Sequence, residues 1–154
     1  MTIDSLGAEL GIYGGTLVVC FVGGLVPVVN TEIWLVTVTL LVSSPAPLPA
    51  VVVLAAVGQM LAKSLLFVTA RGAASLPSGR HRERIERARV AIARWRSRPA
   101  LLFVSASVGI PPFYVITLLA GGLGVRFRTF AAIGFLGRVA RFGVVVALAW
   151  TGGS

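Results

Sequence analysis

Hydrophobic positions fall into four long stretches, separated by short polar, glycine- or proline-bearing breaks and one long basic segment. The first stretch covers residues 12–44 and is interrupted by GGLVPVVNTE at 23–32. The second, LPAVVVLAAVGQMLAKSLLFVTA, covers 48–70; a basic segment follows at 71–99. The third, 100–125, is broken by GIPPF at 109–113 and closes with GGLG at 121–124, and the fourth covers 129–150. A helix crossing a bilayer needs about 20 apolar residues, which the second and fourth stretches supply without interruption. The first is too long for one crossing, and its arms around Pro27, about 15 residues each, are short for two. The third carries Pro111 and Pro112 at its middle, and tandem prolines cannot sit inside a straight helix.

Charge turns this pattern into a topology. Nine of the 14 basic residues are arginines between Arg71 and Arg98, and the third stretch is flanked by Arg96 and Arg98 before it and Arg126 and Arg128 after it. Cytoplasmic loops carry the excess of Lys and Arg, so both flanks belong on the cytoplasmic side. A re-entrant hairpin with its proline tip buried satisfies this, because irregular backbone is not tolerated against lipid. The first stretch, with no arginine around it, then enters from the opposite face. The expected fold is an all-α integral membrane protein, a single membrane domain of two inverted repeats. Each repeat is a re-entrant helical hairpin (about 12–44 and about 100–125) followed by a transmembrane helix (about 48–70 and about 129–150), with both chain ends outside. Weak echoes support the repeat: GLVPVV (24–29) against VGIPPF (108–113), and VGQMLAK (57–63) against IGFLGR (133–138). Gly/Pro-interrupted segments at matching positions of two halves point to a transporter site near the bilayer midplane.

Composition excludes other classes. Of 154 residues 56% are hydrophobic and 12% charged, with a mean hydropathy of +0.93, whereas soluble domains carry about 25% charged residues. The lone Cys20 rules out a disulfide scaffold, and no basic n-region precedes the first stretch, so no cleavable signal is expected. A net charge of +9 in so apolar a chain reads as positive-inside bias, not nucleic-acid binding. Residues 80–98 fit an amphipathic helix in the cytoplasmic headgroup layer, with Ile85, Ala88, Ile92 and Trp95 on one face. The expected location is a bacterial inner membrane, multi-pass, with 71–99 cytoplasmic.

Four ionisable residues fall inside the apolar stretches: Glu32, Lys63, Arg138 and Arg141. Arg138 stands ten residues beyond Arg128, about 15 Å deep along a helix. Each central cation costs about 2.5–3.5 kcal/mol in hydrocarbon, so these groups face protein or water. Glu32 is the one acid among them, and the surplus of cations favours an anion. Arginine forks suit phosphate oxygens, which casts Arg138, Arg141 and Lys63 as ligands of a lipid phosphate and Glu32 as the coupling, proton-binding group. Pro27, Asn30, Pro111 and Pro112 mark the hairpin breaks, while Thr31, Ser107 and Tyr114 furnish polar groups for a cleft. The chain has no metal-ligating cluster, no nucleophile–base set and no phosphate-cradling glycine loop, so neither enzyme activity, a metal nor a cofactor is expected.

These residues resemble the DedA / VTT-domain (SNARE-associated Golgi protein) superfamily. The matching features are GGLVPVVNTEIWL (23–35), VGQMLAKSLLF (57–67), PPFYVITLLAGG (111–122) followed by Phe127 and Phe130, and FLGRVARF (135–142). Glu32 matches the acid of the first family motif; Gly137 and Arg138 match its late glycine–arginine. The resemblance implies opposed re-entrant hairpins and lipid translocation, either flippase-like movement of a polyprenyl phosphate or phospholipid coupled to protons or Na+, or scrambling. Two arginines of the family's F-x-R-F-x-P-x-x-R motif are missing: Ser107 and Phe113 stand near those positions. The chain's shortness points to a homo-oligomer. Two rival readings are an ion-coupled carrier of small solutes, and a non-transporting scaffold that serves envelope maintenance.

Overall fold

The computed structural model describes residues 3–26, 28–74, 99–108, 113–122 and 124–153. Pro27, Pro111, Pro112, the amphipathic segment 80–98 and the side chain of Tyr114 lie outside the described residues. Among the described residues the chain is all-helical, with no strand. The described residues form six helices: α1 (Ile3–Leu25), α2 (Thr31–Leu41), α3 (Leu48–Ala74), α4 (Pro99–Val108), α5 (Phe113–Gly122) and α6 (Phe127–Gly153). Within α3, Leu48–Gly72 is long and apolar enough to cross a membrane, and so is the whole of α6. Both long helices extend a few residues past the expected spans. α1 begins well before residue 12, because Asp4 and Glu9 interrupt hydrophobicity without removing helix propensity.

Local chemistry sets the ends. The Asn30 backbone is extended (φ −84°, ψ 101°) and its side-chain oxygen accepts from Glu32 N–H at 2.9 Å, an N-cap for α2. Glu32 in that first turn also complements the helix dipole. α2 stops at Leu41, where Val42 N–H closes on the Val38 carbonyl and the following SSPAPLP cannot continue a helix. The chain leaves α5 through Gly124, at φ 71°. Gly124 N–H donates to the Gly121 carbonyl at 3.3 Å and Val125 N–H to Ala120 at 3.1 Å, a Schellman closure that needs a residue without Cβ.

Two compact units result, Met1–Ala62 with Arg138–Ser154, and Lys63–Gly137. In the first, α1 and α2 form an antiparallel hairpin: Gly23 lies against Thr31 and Val29, and Gly15 against Trp34. The Trp34 indole N–H donates to Thr16 Oγ1 at 3.1 Å. The N-terminal part of α3 presses onto α1, where a Cβ on Gly58 would stand 2.5 Å from the Leu17 carbonyl oxygen. Thr16, Cys20, Leu35, Val51 and Phe142 are fully buried. In the second unit α4 packs on α5. Phe67 stacks on Phe130 (centroids 4.8 Å) and meets Phe127 edge-on (5.6 Å), while Phe113 stacks on Phe130 at 5.8 Å. Gly121 brings α5 onto the Phe67 carbonyl. Buried Thr39 and Thr117 donate to the carbonyls four residues back at 2.7 Å, so neither hydroxyl is orphaned.

Gly58→Val drives a side chain into α1 backbone. Overpacking costs about 1–3 kcal/mol, so its melting temperature in detergent falls clearly below wild type. Gly14→Ala, where a Cβ meets nothing within 4 Å and alanine favours the helix, does not lower it.

Candidate functional site

The first unit gathers its polar groups around the start of α2. Asn30 is exposed and caps the helix, Thr31 is buried, and Glu32 projects toward α6. Three consecutive residues thus serve three separate contacts. Thr31 Oγ1 accepts from Gln59 Nε2 on α3 at 2.7 Å. The Glu32 carboxylate forms an ion pair with Arg141: Oε1 accepts from Arg141 Nε at 2.7 Å and from Arg141 Nη2 as well. The two side chains remain 37% and 25% exposed, respectively. The acid is therefore paired yet reachable from outside the unit's core.

Arg138 lies one helical turn before Arg141 on α6 and is 9% exposed. Its Cζ sits 5.9 Å from the centroid of the Phe142 ring, within cation–π range. It is close enough to Arg141 and Glu32 for both charges to act on it. Glu32, Arg138 and Arg141, expected to work together, are thus brought together in this unit. Because the one carboxylate serves Arg141, the three groups sum to a single positive charge.

Asn30 is a helix cap and not a cleft ligand, and Thr31 turns inward to Gln59. Lys63 belongs to the second unit and is 5% exposed, so its ammonium is enclosed and not stretched toward a headgroup layer. Ser107, also in the second unit, faces Gly137, and its Oγ has no hydrogen-bond partner among the described residues. Phe113 is 3% exposed within its aromatic stack, so this position is taken by packing. Among the described residues no group of three His, Cys, Asp or Glu could hold a metal ion. A cavity of about 160 Å³ lies at the other end of α2, lined by Thr39, Leu40, Val42, Ala149, Trp150 and Gly153, and has no charged group.

Gln59 was not singled out from the sequence. It is 5% exposed, and its Oε1 is buried without a hydrogen-bond partner among the described residues. An amide at the middle of a largely apolar helix was the available signal, since such groups hydrogen-bond between helices. The same rule covers Thr16 beside Trp34. Compared with known protein families, curated proteins and solved structures, the chain matches none.

The Glu32–Arg141 contact is open to a double-mutant cycle. Glu32→Gln and Arg141→Gln each destabilise the protein, and the pair couples by about 1–3 kcal/mol. Reversible unfolding in detergent measures it, and a coupling near zero shows that the contact carries no energy.

Proposed function

We propose that this chain is a multi-pass membrane protein of the DedA / VTT type that moves a phosphate-bearing lipid between leaflets. In this reading α1–α2 and α4–α5 are re-entrant hairpins inserted from opposite faces, α3 and α6 are the spans, and the arginine-rich segment 71–99 lies on the cytoplasmic side of a bacterial inner membrane. The make-up of the two units supports it. Each contains one helical hairpin together with part of α3 and part of α6, which is what two exchangeable repeats would produce.

The observation that carries the proposal is a carboxylate–guanidinium pair with a second, buried guanidinium one turn away, all on apolar helices. Ionisable groups in such positions are expensive and mark substrate or ion paths. A phosphate oxygen can accept from Arg141 Nε and Nη2 as Glu32 Oε1 does, so headgroup and carboxylate compete for one fork. With Glu32 ionised the three groups carry a net single positive charge, which one phosphate monoanion neutralises. Protonating Glu32 releases Arg141 and raises the charge to two, which matches a phosphate dianion. Glu32 is thereby the coupling group, and proton uptake follows phosphate entry.

The test is reconstitution in liposomes that contain fluorescent, phosphate-bearing lipid, with a membrane-impermeant quencher reporting leaflet exchange. Wild type accelerates exchange. Arg138→Met slows it about tenfold or more, the loss of one charge-assisted phosphate contact, and Glu32→Gln makes the rate insensitive to an imposed pH gradient. Equal rates for wild type and Arg138→Met overturn the proposal.

A further inference from the structure

Gln59 is the chain's one glutamine, and its two polar ends are not equally served. Nε2 donates to Thr31 Oγ1 at 2.7 Å. Oε1 is buried and accepts from nothing among the described residues. A buried acceptor without a donor carries the full desolvation penalty of the group, and an exception of this kind calls for an explanation. The two ends of an amide are joined through bonds of about 1.2 and 1.3 Å, which keeps Oε1 within about 5 Å of Thr31 Oγ1. The unmatched acceptor therefore lies beside the first turn of α2, against the residue that precedes Glu32.

The groups around that turn narrow the choice of donor. Residues 48–62, the part of α3 in this unit, include no titratable side chain. On α1, Cys20 lies against Gly58, and Tyr13, Glu9 and Asp4 fall beyond the Trp34–Thr16 bond, away from the start of α2. From α6, Arg141 holds Glu32, and the charge of Arg138 acts alongside it. Glu32 is the group here whose hydrogen-bonding character reverses with a proton. Ionised, it only accepts, and Arg141 suits it; protonated, it gains an O–H donor and loses the charge that held Arg141. Its side chain is 37% exposed, not locked into the core, and it follows Thr31 directly.

We propose that Gln59 is the positioning residue that receives protonated Glu32: the carboxylate pairs with Arg141, and the neutral carboxyl turns to the Gln59 amide. One proton from water adds to the carboxylate, the Arg141 contact opens, and the new O–H donates to Gln59 Oε1. This rests on the lipid-transport reading and deepens it, because the coupling acid then has a different partner in each protonation state. Glu32 points to α6 in one state and to α3 in the other, and the Arg141 fork is free only in the second. Turning the Gln59 amide over leaves its NH2 as the unmatched end, and the carbonyl oxygen of the same carboxyl group accepts from it.

The test is carbon NMR of the full chain in liposomes, made with glutamine isotope-labelled at its side-chain carbonyl carbon, which marks Gln59 alone. The wild-type signal moves as acid is added, and in Glu32→Gln it stays still. In Thr31→Val, which removes the existing partner of Gln59 and keeps Glu32, it still moves. Lipid exchange driven by a pH gradient slows about fivefold in Gln59→Met, the weight of one neutral hydrogen bond. If Gln59→Met does not fold, the NMR comparison of wild type with Glu32→Gln decides alone. A signal that is static in wild type, or that moves equally in Glu32→Gln, overturns the inference. When exchange persists in that case and Arg138→Met slows it, the transport reading stands. A wild type that does not accelerate exchange overturns the transport reading, while a Glu32-dependent shift still establishes the contact with Gln59.

Discussion

A charge among apolar helices is costly without a partner, and the start of α2 is built around that constraint. An eleven-residue helix is marginal on its own, so α2 depends on its contacts for both existence and position. Its first turn carries three of them. Asn30 satisfies a backbone N–H that the helix cannot, Thr31 receives the Gln59 amide from α3, and Glu32 holds Arg141 of α6. Removing the ion pair would cost more than one contact, because it leaves either a carboxylate or a guanidinium without its counter-charge. The ion pair therefore positions α2 and α6 together, and Arg138 is carried into place by the same helix.

Packing elsewhere is set by small residues and hydrogen bonds. Close approach and hydrogen bonds are also what hold helices together where the surroundings are as apolar as leucine. Gly58 lets α3 reach the α1 backbone, Gly24 reaches Ala62, Gly121 reaches the Phe67 carbonyl and Gly137 reaches Ala106. Between these contacts sit the polar bonds Gln59–Thr31 and Trp34–Thr16. Aromatic stacking takes over in the second unit, where Phe67, Phe113, Phe127 and Phe130 form one continuous cluster. The many exposed large side chains, among them Val28, Leu41, Ile33 and Leu148, leave an apolar outer surface.

What the sequence made legible was local. Uninterrupted hydropathy is a property of consecutive residues, so α3 and α6 could be placed to within a few positions, and the break between α1 and α2 followed from proline, asparagine and glycine chemistry. The partner of Glu32 was not legible. Lys63 and two arginines were all available to it, and the choice of Arg141, 109 positions away, depends on how α6 lies along α2. No periodicity encodes that. Gln59 was overlooked for the opposite reason: a single amide inside the motif VGQMLAK looks like a polar face until Thr31 is seen to meet it. The early start of α1 was hidden because acidic residues weaken a hydropathy signal while leaving the backbone free to be helical.

On the proposed reading, the ion pair also has a mechanical consequence. While Glu32 holds Arg141, the carboxylate and the guanidiniums of Arg138 and Arg141 carry one net positive charge; with Glu32 protonated and Arg141 released they carry two. An ion gradient can bias a conformational cycle only through a group that interacts differently with its two states. Glu32 meets that requirement, because its proton and the Arg141 fork exclude one another.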